Sequence, residues 1–226
     1  ENVTITYDGA EHEVVINGTL PEGVTVAYTT NKGANAGTYN ATAKFTYDIA
    51  NYNTIADMNA VLTINKATYD MSSVKFENVT VTYDGAEHKV EITGTLPNGV
   101  TVSYETNKGT NADTYNAVAK FIYDTDNYNE IPNKTATLTI NKAKVALPTI
   151  TTSFVYTGNA HVAVAANDLY KVENGSATNA GNYTANVTLK DTANYEWIET
   201  FNGKVNWTIA KATYNMSGIE FADKTV

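Results

Sequence analysis

Cysteine is absent from all 226 residues, which removes disulfides, thiol catalysis and cysteine-held zinc from consideration. This alone fixes no compartment, because many secreted bacterial proteins also lack it. Tryptophan occurs twice and proline four times. No run approaches 18 apolar residues, and Glu1 opens directly on a strand pattern with no basic stretch before it. Neither a membrane span nor a secretory leader is therefore read in this stretch. It also begins without methionine, so the chain is expected to be a piece of something longer. Basic residues are few: 15 Lys and Arg against 24 Asp and Glu leave a formal charge of −9. Such a surface repels phosphates, so nucleic acid and anionic membrane are not expected partners. Enzyme signatures are missing too, with no Gly-x-Ser-x-Gly, no His-Glu-x-x-His and no phosphate-cradling glycine loop. No enzymatic activity is expected.

Repetition is what the chain has in abundance. Glu1-Asn2-Val3-Thr4 through Tyr7-Asp8-Gly9-Ala10-Glu11-His12 returns as Glu77-Asn78-Val79-Thr80 through Tyr83-Asp84-Gly85-Ala86-Glu87-His88, an offset of 83 − 7 = 76. A more distant third copy carries Tyr156-Thr157-Gly158-Asn159-Ala160-His161, with its middle shortened. Each copy also holds a corner, Asn35-Ala36-Gly37-Thr38-Tyr39, Asn111-Ala112-Asp113-Thr114-Tyr115 and Asn179-Ala180-Gly181-Asn182-Tyr183. After each corner the apolar residues alternate, as in Tyr39, Ala41, Ala43, Phe45 and Tyr47. Period two marks a half-buried strand. A Tyr placed just after a turn, at the start of such a strand, matches the tyrosine corner of immunoglobulin-like sandwiches, its hydroxyl bonding back to the turn.

About seven strands are expected per repeat and almost no helix. Asp8-Gly9 between alternating segments reads as a hairpin turn, and Gly85 and Gly158 hold the same place. The fold expected is all-β: three tandem small Ig-like β-sandwich domains in an elongated array. The boundaries read as 1–66, 67–142 and 143–211, with 212–226 as the start of a truncated fourth repeat or a C-terminal strand. Lys66-Ala67-Thr68-Tyr69-Asp70-Met71-Ser72 and its twin Lys211-Ala212-Thr213-Tyr214-Asn215-Met216-Ser217 mark the joins, which carry no Gly, Ser or Pro run and should be short and stiff.

Tyr83-Asp84-Gly85 with His88, Gly94-Thr95-Leu96-Pro97-Asn98-Gly99-Val100, Asn107 to Tyr115, Asn127-Tyr128 and Thr137 to Ala143 together resemble the YDG and MBG repeats. These are Ig-like modules found in tandem in large adhesin-like bacterial surface proteins. The likeness covers the first two repeats end to end, while the third has Tyr-Thr-Gly for Tyr-Asp-Gly and resembles a sister subtype. It implies a place on the bacterial cell surface, outside the cell, attached to the cell wall or outer surface, and it brings no catalytic residues.

Several residues invite a chemical role. His12, His88 and His161 each lie five after the hairpin Tyr (12 − 7, 88 − 83 and 161 − 156), and in the first two repeats the histidine shares the parity of the inward Val and Ile. Residues in three separate repeats cannot converge on one metal, so a packing role is expected. If the rings are buried neutral, protonation near pH 5 should weaken the repeats. Asp48, Asp124, Asp126 and Asp191 crowd one corner of each repeat beside an Asn-Tyr pair. They could supply oxygens to calcium or be solvated turn residues, and no copy has the full calcium loop. No cofactor beyond such calcium is expected. Lys66, Lys142 and Lys211 flank the last strands; an isopeptide crosslink would need each lysine buried against an Asn and an acid, and their position at repeat ends argues against it. Tyr52, Tyr128 and Tyr195, with Trp197, are the candidate surface aromatics for a glycan.

Two functions follow. One is a stalk projecting a binding region from the cell, its partners the neighbouring repeats, in a monomeric chain. The other has the repeats themselves binding host or microbial glycan or protein by avidity. A binder would show the same exposed aromatic platform in every repeat.

Overall fold

A computed structural model describes residues 1–223, and among them every regular element is a strand. The first repeat contains β1 (Val3–Thr6), β2 (His12–Glu13), β3 (Thr25–Thr29), β4 (Lys32–Gly33), β5 (Gly37–Thr46) and β6 (Met58–Asn65). The second holds β7 (Val79–Thr82), β8 (His88–Lys89), β9 (Thr101–Glu105), β10 (Lys108–Gly109), β11 (Thr114–Ile122) and β12 (Lys134–Asn141). Apart from the first residue of β11, each bound lies 76 after its counterpart, as in 79 − 3 and 141 − 65. The third holds β13 (Ala143–Val145), β14 (Ser153–Val155), β15 (His161–Val162), β16 (Tyr170–Glu173), β17 (Ser176–Ala177), β18 (Gly181–Leu189), β19 (Tyr195–Trp197) and β20 (Lys204–Ala210).

The chain forms two compact units, and their division runs through the second repeat. One comprises Glu1–Val79, Lys89–Lys108 and Tyr115–Thr137; the other comprises Thr80–His88, Gly109–Thr114 and the chain from Leu138 onward.

In the first unit, β1, β6, β5 and β3 lie side by side in that order, and β2 pairs with β4 in a separate ribbon. β1 runs parallel to β6, with Val3 opposite Leu62, and β5 runs antiparallel to both β3 and β6. Val14, just after β2, packs on Leu62 and Ile64 from the larger sheet, flanked by Ile5, Tyr7 and Tyr39. Along β5, Ala41 and Ala43 are buried and Tyr39 and Phe45 half-buried, as the alternation requires. In the second unit β14, β20, β18 and β16 repeat the sheet order and β15–β17 the ribbon. Its core comprises Val145, Ala163, Val164, Tyr170, Ala185, Val187, Val205, Trp207 and Ile209, all buried.

This is an immunoglobulin-like arrangement. β3, β5 and β6 take the places of strands C, F and G, while β2 and β4 face them as B and E. The tyrosine falls where that assignment needs it, at the start of F. Tyr39 donates its hydroxyl to the carbonyl of Asn35 at 2.9 Å, and Tyr183 donates to Asn179 at 2.7 Å. The ring of Tyr39 lies flat against β4: a Cβ on Gly33 would come within 2.3 Å of its carbons, so only glycine admits it there. Tyr39→Phe keeps the ring and removes the bond, and is expected to cost about 1 kcal/mol, read from the urea midpoint of the first unit.

One expectation needs correction. Asp8-Gly9 does not turn a hairpin, because β1 belongs to the large sheet and β2 to the ribbon, so the turn carries the chain from one sheet to the other. The turn itself is as the residues dictate. Gly9, Gly85 and Gly158 all have φ between +82° and +84°, where other residues are strained. Asp8 accepts the amide of Ala10 at 2.9 Å and Asp84 that of Ala86 at 2.8 Å. The first repeat also has six strands instead of seven, since the stretch between Val14 and Val24 is irregular.

The leading segment of the second repeat lies against that repeat. The Ala67 amide bonds the Asn127 carbonyl, the Asn129 amide bonds the Ala67 carbonyl, and Lys75 and Thr93 exchange both backbone bonds at 2.9 Å. Residues 212–223 repeat this segment in sequence but form no strand.

Candidate functional site: the joints between repeats

The feature that recurs with constant geometry is the joint, built from an Asp-x-x-Asn-Tyr stretch between the F and G strands: Asp48 to Tyr52, Asp124 to Tyr128 and Asp191 to Tyr195. The aspartate folds its own loop. Asp124 Oδ1 accepts the amides of Asp126 and Asn127, and its Oδ2 accepts the side-chain NH2 of Asn127 at 2.8 Å. Asp191 treats Ala193 and Asn194 the same way; Asp48 accepts the Ala50 amide at Oδ1 and the side-chain NH2 of Asn51 at Oδ2, while the Asn51 amide bonds the Asp48 carbonyl at 3.3 Å. The asparagine is thereby held by its NH2, with its side-chain oxygen pointing out of the loop.

That oxygen meets the preceding repeat. In the first unit Asn127, buried to 6 % exposure, accepts the amide of Ala36 at 2.7 Å and donates to Asn35 Oδ1 at 3.3 Å. In the second unit Asn194 accepts the amide of Ala112 at 2.8 Å and donates to Asn111 Oδ1 at 3.3 Å. The asparagine thus caps the tyrosine corner of its neighbour. A lysine ties the same loop from the other side: Lys66 Nζ donates to the Thr125 carbonyl at 2.7 Å and Lys142 to that of Thr192 at 2.5 Å. These lysines serve as joint ties, bonded to backbone oxygen.

Rings fill the joint. Tyr128 stacks on Tyr69 at 3.8 Å between centroids and takes Tyr7 edge-on at 5.5 Å, while Tyr123 meets Tyr69 edge-on at 6.0 Å. In the second unit Tyr83 meets Tyr195 edge-on at 5.3 Å. There Val145 stands where Tyr69 stands, at 145 − 69 = 76, and pairs in register with Trp197. Burial raises the Tyr69 hydroxyl above its ordinary pKa, with Tyr128 beside it adding to the shift.

These positions revise the expected glycan platform. Tyr128 and Tyr195 are half-buried against the neighbouring repeat, and Trp197 packs on Tyr170 and Phe201. Only Tyr52 of the four is open, at 71 % exposure. The physical reason is the stacking partner: a ring beside a repeat end gains more from burial against another ring than from water.

The aspartates are engaged by N–H donors, and among the described residues no three His, Asp or Glu side chains gather as a metal site. The side-chain amides of Asn51, Asn127 and Asn194 are the first cause holding Asp48, Asp124 and Asp191 below the ordinary carboxylate pKa of 3.8, with backbone amides helping. Asp126 stands beside this loop, its amide bonded to Asp124. Since the folded pKa values are depressed, the stability they bring is complete above the unfolded value and lost as pH falls through the folded ones. Unfolding temperature is therefore expected to hold from pH 7 to 5 and drop below about pH 4. Replacing all three aspartates by asparagine should flatten part of that slope, and an unchanged slope would contradict the assignment.

The histidines also differ from the expectation of rings buried neutral. His12 and His88 keep 30 % and 24 % of their side chains exposed, and Nε2 lies 2.9 Å from Asp8 and Asp84. Each ring is thus partly open beside a carboxylate instead of enclosed in the core. The His12 hydrogen bond is the first cause lowering Asp8, and the Ala86 amide, then His88, lowers Asp84. His161 contacts Thr157 Oγ1 at 3.1 Å and the ring of Phe154 at 4.8 Å.

Sequence reasoning marked the Asn-Tyr corners but missed Asn127 and Asn194 as the capping groups. The signal was the fixed Asp-x-x-Asn-Tyr spacing in three copies.

The fold and the joints define a chain of tandem immunoglobulin-like repeats. The sequence matches no family model and no curated protein. Among solved structures, it is similar to the I-band fragment I67-I69 of titin at 10 % identity, covering 94 % of this chain and 96 % of that one with a TM-score of 0.29. Immunoglobulin domains 1–5 of Sidekick-1 align at 11 % identity over 93 % of this chain and 58 % of that one, TM-score 0.24. Extracellular domains 3–5 of Drosophila OTK align at 12 % identity over 94 % of both chains, TM-score 0.21. At these scores the fold assignment rests on strand order and the tyrosine corners.

Proposed function

We propose that the chain is a spacer: a run of YDG/MBG-like repeats in an extracellular protein of a bacterial surface, holding a binding region away from the cell and performing no catalysis itself. The observation that carries this reading is the twice-built joint, where Asn127 and Asn194 make the same bonds to the preceding corner. A flexible tether needs no such bonds; a spacer that must keep its reach does. The competing reading, in which each repeat binds glycan or protein, calls for a shared exposed aromatic platform. Two of the three equivalent tyrosines, Tyr128 and Tyr195, are instead spent on the joints.

Small-angle scattering with and without calcium tests it. Three repeats of about 35 Å set end to end would give a radius of gyration near 30 Å, and a single compact body of this length gives about 17 Å. The spacer reading expects the larger value in both conditions, with calcium dispensable. The smaller value would end it.

A further inference from the structure

Without cysteine the chain has no disulfide to fasten its joints, yet it carries 16 tyrosines. Two of them stand in a geometry that phenol oxidation can use. Tyr69 and Tyr128 lie face to face, with 3.8 Å between centroids and 12° between planes. Tyr7 with Tyr128, Tyr69 with Tyr123 and Tyr83 with Tyr195 instead meet edge-on, at 78°, 83° and 83°. Oxidative coupling of two tyrosines joins the ring carbons next to their hydroxyls, so the rings must stack with both hydroxyls at the same end.

The backbone sets that sense. Ala67 pairs in parallel with Tyr128, and Tyr69 follows two residues on, so the two side chains leave parallel segments on one side. The hydroxyls accordingly act on each other: after burial, the charge and hydrogen bonding of Tyr128 are what raise the Tyr69 pKa. Both rings are half-buried, so neither is sealed from a small oxidant. Tyr7 and Tyr123, edge-on to the pair at 5.5 and 6.0 Å, put a radical formed on either ring one short electron transfer from the stack. The second joint lacks this arrangement, because Val145 stands where Tyr69 stands, at 145 − 69 = 76.

We propose that Tyr69 and Tyr128 are an oxidative crosslinking site, forming a dityrosine when the chain meets a peroxide and a one-electron catalyst. Each phenol gives up one electron and its hydroxyl proton. The two phenoxyl radicals join at the carbons ortho to oxygen, and the hydrogens on those carbons move to the oxygens as the rings regain aromaticity. One hydrogen peroxide takes up the two electrons and two protons and leaves as two waters. The new bond ties the segment that leaves β6 to the loop whose Asn127 caps the first repeat. It closes a loop of 128 − 69 = 59 residues and restrains the unfolded chain as a disulfide does. The inference goes beyond the spacer reading and stands without it.

Illumination of the 226-residue chain with tris(bipyridine)ruthenium(II) and persulfate tests it, the persulfate taking the same two electrons and becoming sulfate. In dilute solution the monomer should lose the mass of two hydrogen atoms, gain dityrosine fluorescence and yield, on digestion, a peptide pair joined through residues 69 and 128. Tyr69→Phe and Tyr128→Phe keep the stacked rings, and so the fold, but remove a phenol, and each should lose both the fluorescence and the joined peptides. Tyr52→Phe, at a ring 71 % exposed, should lose neither. Absence of the 69–128 link, links that run instead through exposed rings such as Tyr52 or Tyr214, or dityrosine that persists in either joint variant would each overturn the proposal. Scattering of the untreated chain reads the spacer function separately.

Discussion

Trp207→Ala is expected to unfold the third repeat while leaving the first folded. Trp207 is 1 % exposed, stacks on Tyr183 at 4.7 Å and meets Phe154 edge-on at 5.8 Å. Its indole N–H donates at 3.2 Å to the carbonyl of Asn174, a residue held at φ 56° in the left-handed region that asparagine tolerates. Truncation removes the largest side chain of that core, leaves the Asn174 carbonyl without its donor and opens a cavity, a loss of about 3–5 kcal/mol. A domain of this size is stabilised by only about 4–10 kcal/mol. The remaining tryptophan, Trp197, packs on Tyr170 and Phe201 of the same core and reports its state by fluorescence. The Trp197 transition should move to much lower urea while tyrosine resonances of the first unit stay in place. Simultaneous loss of both signals would show that the repeats do not fold as modules.

Leu62 and Leu138 show why the effect is large. Tyr39 faces Leu62 across the β5–β6 pair as Tyr183 faces Trp207 across β18–β20, and both leucines are fully buried. The third repeat has widened this one site from leucine to tryptophan. Its parity, with Val205, Trp207 and Ile209 buried in alternation, was legible in the sequence. Trp197 nevertheless reads in the sequence as a candidate surface aromatic, because it stands beside the Asn194-Tyr195 corner. Burial depends on the opposite sheet, which the alternation along one strand does not reveal.

The same limit explains the other differences between sequence and structure. The corner tyrosines could be placed because their hydroxyl partner is four residues away, and local turn chemistry fixed Gly9 and Asp8. Whether the chain then doubles back or crosses to the other sheet depends on β1 finding β6, some 59 residues on (62 − 3). The joint was half legible for the same reason. The Asp124 loop is local, but the partners of Tyr128 lie 128 − 69 = 59 and 128 − 7 = 121 residues away. A tyrosine on a loop reads as exposed until the neighbour that covers it is known.

That dependence makes Tyr128 the place to break the joint. Tyr128→Ala removes the ring that both Tyr7 and Tyr69 touch, while the Asp124 loop and the Asn127 caps keep their own atoms. The ring is half-buried, so the cost is set below that of a fully enclosed aromatic, at about 2 kcal/mol. The loss falls on the coupling between the first repeat and the leading segment of the second, more than on either core. Val14, Leu62 and Ile64 pack without reference to Tyr128. Hydrogen exchange should therefore quicken at the Ala36 and Ala67 amides, whose acceptors both belong to Asn127, while amides of β5 and β6 keep their protection. Tyr52→Ala is the matched control, an exposed tyrosine at the equivalent position, and should change neither set. If exchange at Ala36 is unmoved by Tyr128→Ala, the hydrogen bonds alone hold the joint and the rings add nothing to its stiffness. If β5 and β6 lose protection as well, the joint is part of the core it adjoins, and the repeats share their stability across it.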